Sequence, residues 1–377
     1  MRGPRLAGLL IVVAVGTTAA GCSSDDDSPH SAASPGAAAT PSASASTAPS
    51  ATPSTTPTAS GPTTTPTPTT APLAWRKIDE SAEDTVVTTG RWTLRVPQSG
   101  RSFSLDGPGR GEGGQAASRF HFVDALLDDD WAVVVAQDKQ ETLPQRATVV
   151  DLNAKTFKTW TIDGSSDVPT ATGGSWALYG DRLVHATLDG RRYCQARVDI
   201  TSRSSTVGWC APPRNGWNSP VIGADGEAML TFDAHHPSCR TVVTVDGATI
   251  TPFPDVARCK GAQGALLGDG RVWSVVPNEH RYEAVEVYAT TADGIADLGP
   301  GVNGTLTVCG DAVLWAADPE TDNGPARLMR WDGSTLSTAY ESGRGAAFLG
   351  PPECAGSALT VASFSDSGDE QVTAPVG

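Results

Sequence analysis

The chain has 377 residues and an acidic balance, 27 Lys+Arg against 42 Asp+Glu, for a formal charge of −15. Such a surface repels nucleic-acid phosphate and anionic lipid headgroups, which argues against both as partners. Seven cysteines divide unequally: Cys22 stands alone near the start, and Cys194, Cys210, Cys239, Cys259, Cys309 and Cys354 lie in the second half.

Met1 to Arg5 carries two cations, Leu6 to Val15 is almost wholly apolar, and small residues follow up to Gly21. That order is the n-region, h-region and cleavage site of a secretory signal over 1–21, and its apolar core is too short to span a bilayer comfortably. Ala19-Ala20-Gly21-Cys22 resembles the lipobox of bacterial lipoproteins, with Ala19 where the motif usually has Leu. The resemblance implies lipidation of Cys22 and anchoring on the extracytoplasmic face of the cell membrane. Two acyl chains there would hold where one is marginal.

From Cys22 to Leu73 the chain is nearly all Ser, Thr, Pro, Ala and Gly, with Asp25, Asp26 and Asp27 as its only charges. Such a tract has no apolar surface to offset ordering entropy and reads as a disordered linker. As a flexible coil its ends lie on the order of 40 Å apart. The remaining residues, 74–377, carry a formal charge of −14 and no second low-complexity break, as expected for one large all-β domain.

A strand opened by a Gly/Asp turn recurs along this domain. Its anchors are Trp92, Ala132, Leu183, Ala228, Val272, Val313 and Ala358, at steps of 40, 51, 45, 44, 41 and 45 residues. The middle repeats each carry a second apolar run broken at Asp151-Leu152-Asn153, Asp199-Ile200-Thr201, Asp246-Gly247, Asp293-Gly294 or Asp332-Gly333. A strand, a loop and a hairpin at that period describe a four-stranded propeller blade. Seven anchors predict a seven-bladed β-propeller, six blades being the alternative because the first repeat is the faintest. The segment Trp75-Arg76-Lys77-Ile78 then supplies the outer strand of the last blade, and closure removes open sheet edges.

The Asp-Gly-x-apolar openings resemble the blades of TolB-like propellers. The order of lipobox, Pro/Thr linker and six-cysteine domain resembles uncharacterised lipoproteins of high-GC actinobacteria. These motifs are turn chemistry and imply a fold and an address without an activity. The Ser-Pro-Asp-Gly form common in TolB blades is replaced here by Gly223-Ala224-Asp225-Gly226 and Leu267-Gly268-Asp269-Gly270.

Six cysteines allow fifteen pairings, and the repeat register narrows them. Cys194 and Cys210 flank the Asp199 turn, Cys239 and Cys259 flank the Asp246-Gly247 turn, and Cys309 and Cys354 each stand four residues before an anchor in adjacent repeats. Equivalent positions of neighbouring blades reach disulfide range only near the axis. The expected pairs are 194–210, 239–259 and 309–354.

No Gly-x-Ser-x-Gly elbow, phosphate loop or dinucleotide fingerprint is present, so no catalytic residue, metal or cofactor is assigned. Asp128-Asp129-Asp130 reads as a solvated acidic loop, and Asp318, Glu320, Asp322 and Asn323 as a long hairpin loop lacking the EF-hand glycine and terminal Glu. His235 and His236 beside Cys239 lack a second ligand pair for zinc. His121 and His185 read as satisfied core or rim residues. Trp92, Trp131, Trp273 and Trp315 are expected to pack between sheets, whereas Trp160, Trp209 and Trp331, beside hairpin turns, are candidates for partial exposure.

Two functions fit this pattern. The first is a non-catalytic binding or scaffold module facing a cell-envelope protein or glycan. The second is a propeller hydrolase or lyase acting on glycans, which would need two carboxylates facing each other at the axis.

Overall fold

The computed structural model describes residues 66–376. The signal at 1–21, the lipidation candidate Cys22 and the tract up to residue 65 lie outside the described residues. Seven antiparallel sheets follow one another in chain order as a seven-bladed propeller, with no helix among the described residues. From inner to outer strand, blade 1 is Thr85–Thr88, Thr93–Val96, Ser102–Gly107 and Arg110–Gln115. Blade 2 is Phe120–Leu127, Trp131–Asp138, Arg146–Asp151 and Lys158–Ile162, and blade 3 is Ala177–Tyr179, Arg182–Asp189, Arg192–Asp199 and Ser204–Cys210. Blade 4 comprises Gly216–Gly223, Gly226–Phe232, Arg240–Asp246 and Thr249–Pro252; blade 5 comprises Gly261–Leu267, Gly270–Val275, Ala284–Thr291 and Gly294–Val302. Blade 6 is Thr307–Cys309, Ala312–Ala317, Pro325–Trp331 and Leu336–Arg344.

Blade 7 joins both ends of the domain. Glu353–Ala355, Ala358–Phe364 and Glu370–Pro375 come from the C-terminal side, and Arg76–Ile78 adds the outer strand, with Lys77 opposite Val372. This is the closure expected from the sequence. Upstream of that strand, Thr69–Thr70 pair in parallel with Ser337 and Thr338 of blade 6. Between these two pairings Trp75 donates its indole N–H to the Ala339 carbonyl at 2.7 Å and meets the Tyr340 ring edge-on at 5.1 Å. The N-terminal strap therefore staples blade 6 to blade 7 on the outer rim.

All seven anchors fall in or directly before the second strand of a blade. That strand is covered by a neighbouring blade on each side, so Trp131–Asp138 and Ala312–Ala317 are buried almost without alternation. Apolar clusters occupy the seams from blades 1–2 through 6–7. Trp92, Trp273 and Trp315 are buried in them as expected, and Trp131 and Trp160 are half-buried at the seam of blades 2 and 3. Trp331, a candidate for exposure, is only 3 % exposed, because its strand turns it into the seam of blades 5 and 6.

The three cysteine pairs are those the repeat register predicts. Cys194–Cys210 bridges the third and fourth strands of blade 3, where the two residues stand opposite in register. Cys239–Cys259 ties the start of blade 4's third strand to the connection leaving that blade. Cys309–Cys354 joins the inner strands of blades 6 and 7, with Cα atoms 5.5 Å apart. Blades 6 and 7 are thus tied by a disulfide near the axis and by the N-terminal strap outside.

Candidate functional site

The inner strands and their turns enclose an axial channel of about 590 Å³, lined from blades 2 to 7. Its charged lining consists of Asp124, Asp128, Asp129 and Glu353, with no Lys, Arg or His. Apolar lining comes from Tyr179, Pro220, Val221, Leu306, Val308 and Pro351 among others.

Asp124 reaches the channel because the inner strand of blade 2 carries a β-bulge. Register shifts between Phe122 and Asp124, so the buried alternation of Phe120 and Phe122 resumes at Ala125 and Leu127. The extra residue re-aims the side chains there, a recurrent use of bulges. Glu353 is delivered by a different irregularity. Pro351 and Pro352 have no N–H, so they interrupt the inner strand of blade 7 between Phe348–Leu349 and Glu353–Ala355. An edge strand facing the axis tolerates that loss.

The two carboxyl groups keep some contact with channel water but are enclosed by protein. Burial pushes Asp124 up to about 6, opposed by a hydrogen bond from the Ala125 N–H at 2.8 Å. Burial, and then the charge of Asp124, push Glu353 up to about 8. They lie on either side of the short inner strand of blade 1, and the charge of Asp124 disfavours ionisation of Glu353.

Gln263 of blade 5 also lines the channel. It is 6 % exposed, and its Oε1 accepts the Leu306 N–H at 3.1 Å. Only the amide oxygen can accept that bond, so Nε2 is the free end. At the channel mouth Asp128 accepts the Gly180 N–H of the next blade at 2.6 Å, and Asp225 repeats the latch onto Gly268 at 2.7 Å. Asp130 accepts from Asn153 Nδ2 at 2.8 Å. The Asp128–Asp130 run, read as a solvated loop, is therefore partly a set of bonds between turns.

A second, more open concavity of about 820 Å³ lies between blades 3, 4 and 5. Polar groups on its walls are already matched: Arg197 donates to Glu227 at 2.9 Å, Gln195 donates to the same carboxylate, and Arg182 donates to the Gly223 carbonyl at 2.7 Å. Burial raises Glu227 despite the Arg197 charge, as expected for an ion pair serving the blade seam. Asp124 and Glu353 in the axial channel have no such cation beside them among the described residues.

The other sequence candidates do not converge there. His235 is exposed and pairs with Asp233 at 2.7 Å, while Cys239 is bonded to Cys259. Glu320, in the blade 6 loop, pairs with Arg327 at 2.7 Å. The one metal-type cluster among the described residues is Asp189 with Cys194 and Cys210, whose sulfurs are joined to each other. His185 is a core residue stacked on Trp176, but it is not fully satisfied: Nδ1 lies 2.9 Å from the Ala186 carbonyl and Nε2 has no partner. Burial lowers it to about 4, so the ring is neutral. His121 likewise leaves Nδ1 unpartnered. Asp124, Glu353 and Gln263 escaped the sequence reading. The available signal was a lone acid inside an apolar inner strand, eight residues before the Ala132 anchor.

No protein-family profile matches the sequence, and no curated protein aligns with it. The fold has many solved counterparts. The β-propeller domain of the Trilobed protease from Pyrococcus furiosus superposes with a TM-score of 0.51 at 9 % identity, over 77 % of this chain and 90 % of that one. TolB from Acinetobacter baumannii matches at 11 % identity and a TM-score of 0.38, over 78 % of each chain. The acylaminoacyl peptidase of Pyrococcus horikoshii matches at 11 % identity and a TM-score of 0.45, over 67 % of this chain. The chain spans less than half of that peptidase, 44 % of its length. At these identities the likeness is one of fold.

Proposed function

We propose that the protein is a lipid-anchored, extracytoplasmic binding module that presents its propeller to a partner in the cell envelope, a protein or a glycan. Cys22 provides the anchor, the Ser/Thr/Pro tract the spacer, and the axial channel the ligand site. The carrying observation is an axial channel of ligand-site volume whose lining mixes polar and apolar groups, with Glu353 and the amide N–H of Gln263 left without a hydrogen-bond partner among the described residues. Three disulfides suit an oxidising extracytoplasmic compartment. The anchor is tested by labelling cells with a palmitate analogue. The label should appear on the wild type and vanish in Cys22→Ser; undiminished label on that variant rejects the anchor. Pull-down from solubilised envelope with wild type and a channel variant, Asp124→Asn with Glu353→Gln, tests the channel: a partner retained equally by both rejects it as the site.

A second reading, glycan hydrolysis, is favoured by the Asp124–Glu353 pair. One acid held protonated beside one held ionised is the division of labour such chemistry uses. Binding is preferred because the aromatic rings at the channel wall are already engaged: Trp176 is 6 % exposed and stacked on His185 at 4.7 Å, and Tyr179, 39 % exposed, carries the Arg182 guanidinium over its ring at 5.3 Å. Release of nitrophenol from aryl glycosides, lost in Glu353→Gln, would favour hydrolysis instead.

A further inference from the structure

We infer that the axial channel recognises an alkylammonium group, with Asp124 and Glu353 as acceptors for the cation and the free amide N–H of Gln263 donating to an acceptor on the same ligand. The inference rests on the binding reading above and gives the site a chemical class.

Three observations carry it. First, the channel's charged side chains are all carboxylates: Asp124, Asp128, Asp129 and Glu353 line it and no basic residue does. Asp128 is engaged by the Gly180 N–H, while Asp124 receives one local backbone bond and Glu353 accepts no hydrogen bond among the described residues. A ligand cation is the charge this enclosure lacks, and desolvated carboxylates bind one strongly. Second, Gln263 is more than nine-tenths buried, its oxygen is fixed by Leu306, and its Nε2 has no acceptor among the described residues. A donor left free on a channel wall is paired when a ligand acceptor meets it, and a bare cation offers no such acceptor. Third, part of the wall is aliphatic, with Pro220, Val221, Leu306 and Val308, a surface that suits a methylene chain better than a hydrated ion. A volume of about 590 Å³ admits a ligand the size of a diamine or a lysine side chain with its flanking amides.

The free diamine and the lysyl residue share this chemistry, and calorimetry on the purified full-length protein separates them. Cadaverine and N-acetyl-lysine methylamide are titrated at pH 7.5, with chitotriose and calcium chloride as contrasting probes. Saturable one-to-one binding of an amine probe is expected, weakened at least about tenfold by Asp124→Asn or Glu353→Gln. Gln263→Leu should weaken the lysine amide, which carries carbonyl acceptors, several-fold more than it weakens cadaverine. Asp318→Asn, in the exposed loop of blade 6, should leave both unchanged. Thermal melts of each variant show that the fold is retained.

Chitotriose binding without amine binding overturns the ligand class and leaves the binding reading standing. Calcium saturating the same site, lost in the same variants, also overturns the class. Turnover of a glycoside that depends on Glu353, with no amine binding, overturns the binding reading itself.

Discussion

Asp124 of blade 2 and Glu353 of blade 7 line one channel from either side of blade 1's inner strand, close enough for the charge of Asp124 to raise Glu353. The two inner strands that carry them both pack against blade 1's inner strand, Thr85–Thr88, and touch each other. The same approach sets Asp129 against Gly356 at the channel mouth.

The carboxyl pair makes stability depend on pH in a defined direction. Both groups hold protons more tightly in the folded protein than in the unfolded chain, Asp124 up to about 6 and Glu353 up to about 8. Their favourable contribution is complete below about pH 4 and is lost as pH rises through the two folded values, with no further loss from the pair above them. Glu353→Gln should match wild type near pH 4 and exceed it by on the order of 1–3 kcal/mol at pH 9, since channel water screens the full shift. Urea unfolding across that range measures the difference; a margin independent of pH contradicts the assignment.

Gly356 adopts a φ of +55° in the turn into blade 7's second strand, and a Cβ there would lie 2.9 Å from the Asp129 carboxylate. Gly356→Ala should cost about 1 kcal/mol from backbone strain. The contact adds little, because an aspartate side chain can move aside. Denaturant melts should therefore find Gly356→Ala nearly as destabilising with Asp129→Ala as without it. Full rescue by Asp129→Ala would shift the cause to the contact.

The disulfides should differ in weight. Cys309–Cys354 closes a separation of 45 residues and Cys194–Cys210 one of 16. In the chain-entropy description, replacing the first pair by serines destabilises by about 1 kcal/mol more than replacing the second. Paired melts of the two double-serine variants read this directly, and a larger loss from the blade 3 pair contradicts it.

Arg197→Leu leaves Glu227 buried beside Gln195 with no cation at 2.9 Å. Removing one partner of a buried pair should cost about 2–4 kcal/mol, at the lower end here because Arg197 is partly exposed. Without Arg197, Glu227 holds its proton more tightly still, so the deficit should shrink as pH falls and the carboxyl is neutralised. A deficit that grows on acidification points to another cause. Melts at pH 5 and pH 8 distinguish the two.

The architecture was legible because turn residues mark every blade. Anchors such as Leu183, Val272 and Val313 sit just beyond Gly/Asp turns where the chain reverses between strands, and the cysteines inherit that register. Arg76–Ile78 could be assigned because the last repeat lacked one strand. The site was less legible. Asp124 depends on a bulge that shifts the strand by one residue, and Glu353 on a proline break, and neither changes the repeat period. Gln263 is buried only because six other inner strands surround the axis, a relationship across blades that a linear pattern does not carry. Trp331 was misjudged for a related reason: proximity to a turn does not say which seam a ring enters.

The most direct test of the channel as a ligand site is a carbon-13 NMR titration of the carboxyl groups of Asp124 and Glu353, with and without cadaverine. The account predicts midpoints near 6 and near 8, both moving lower when the amine is present because a bound cation favours the charged forms. Midpoints near 4 for both groups, unmoved by cadaverine, would contradict it.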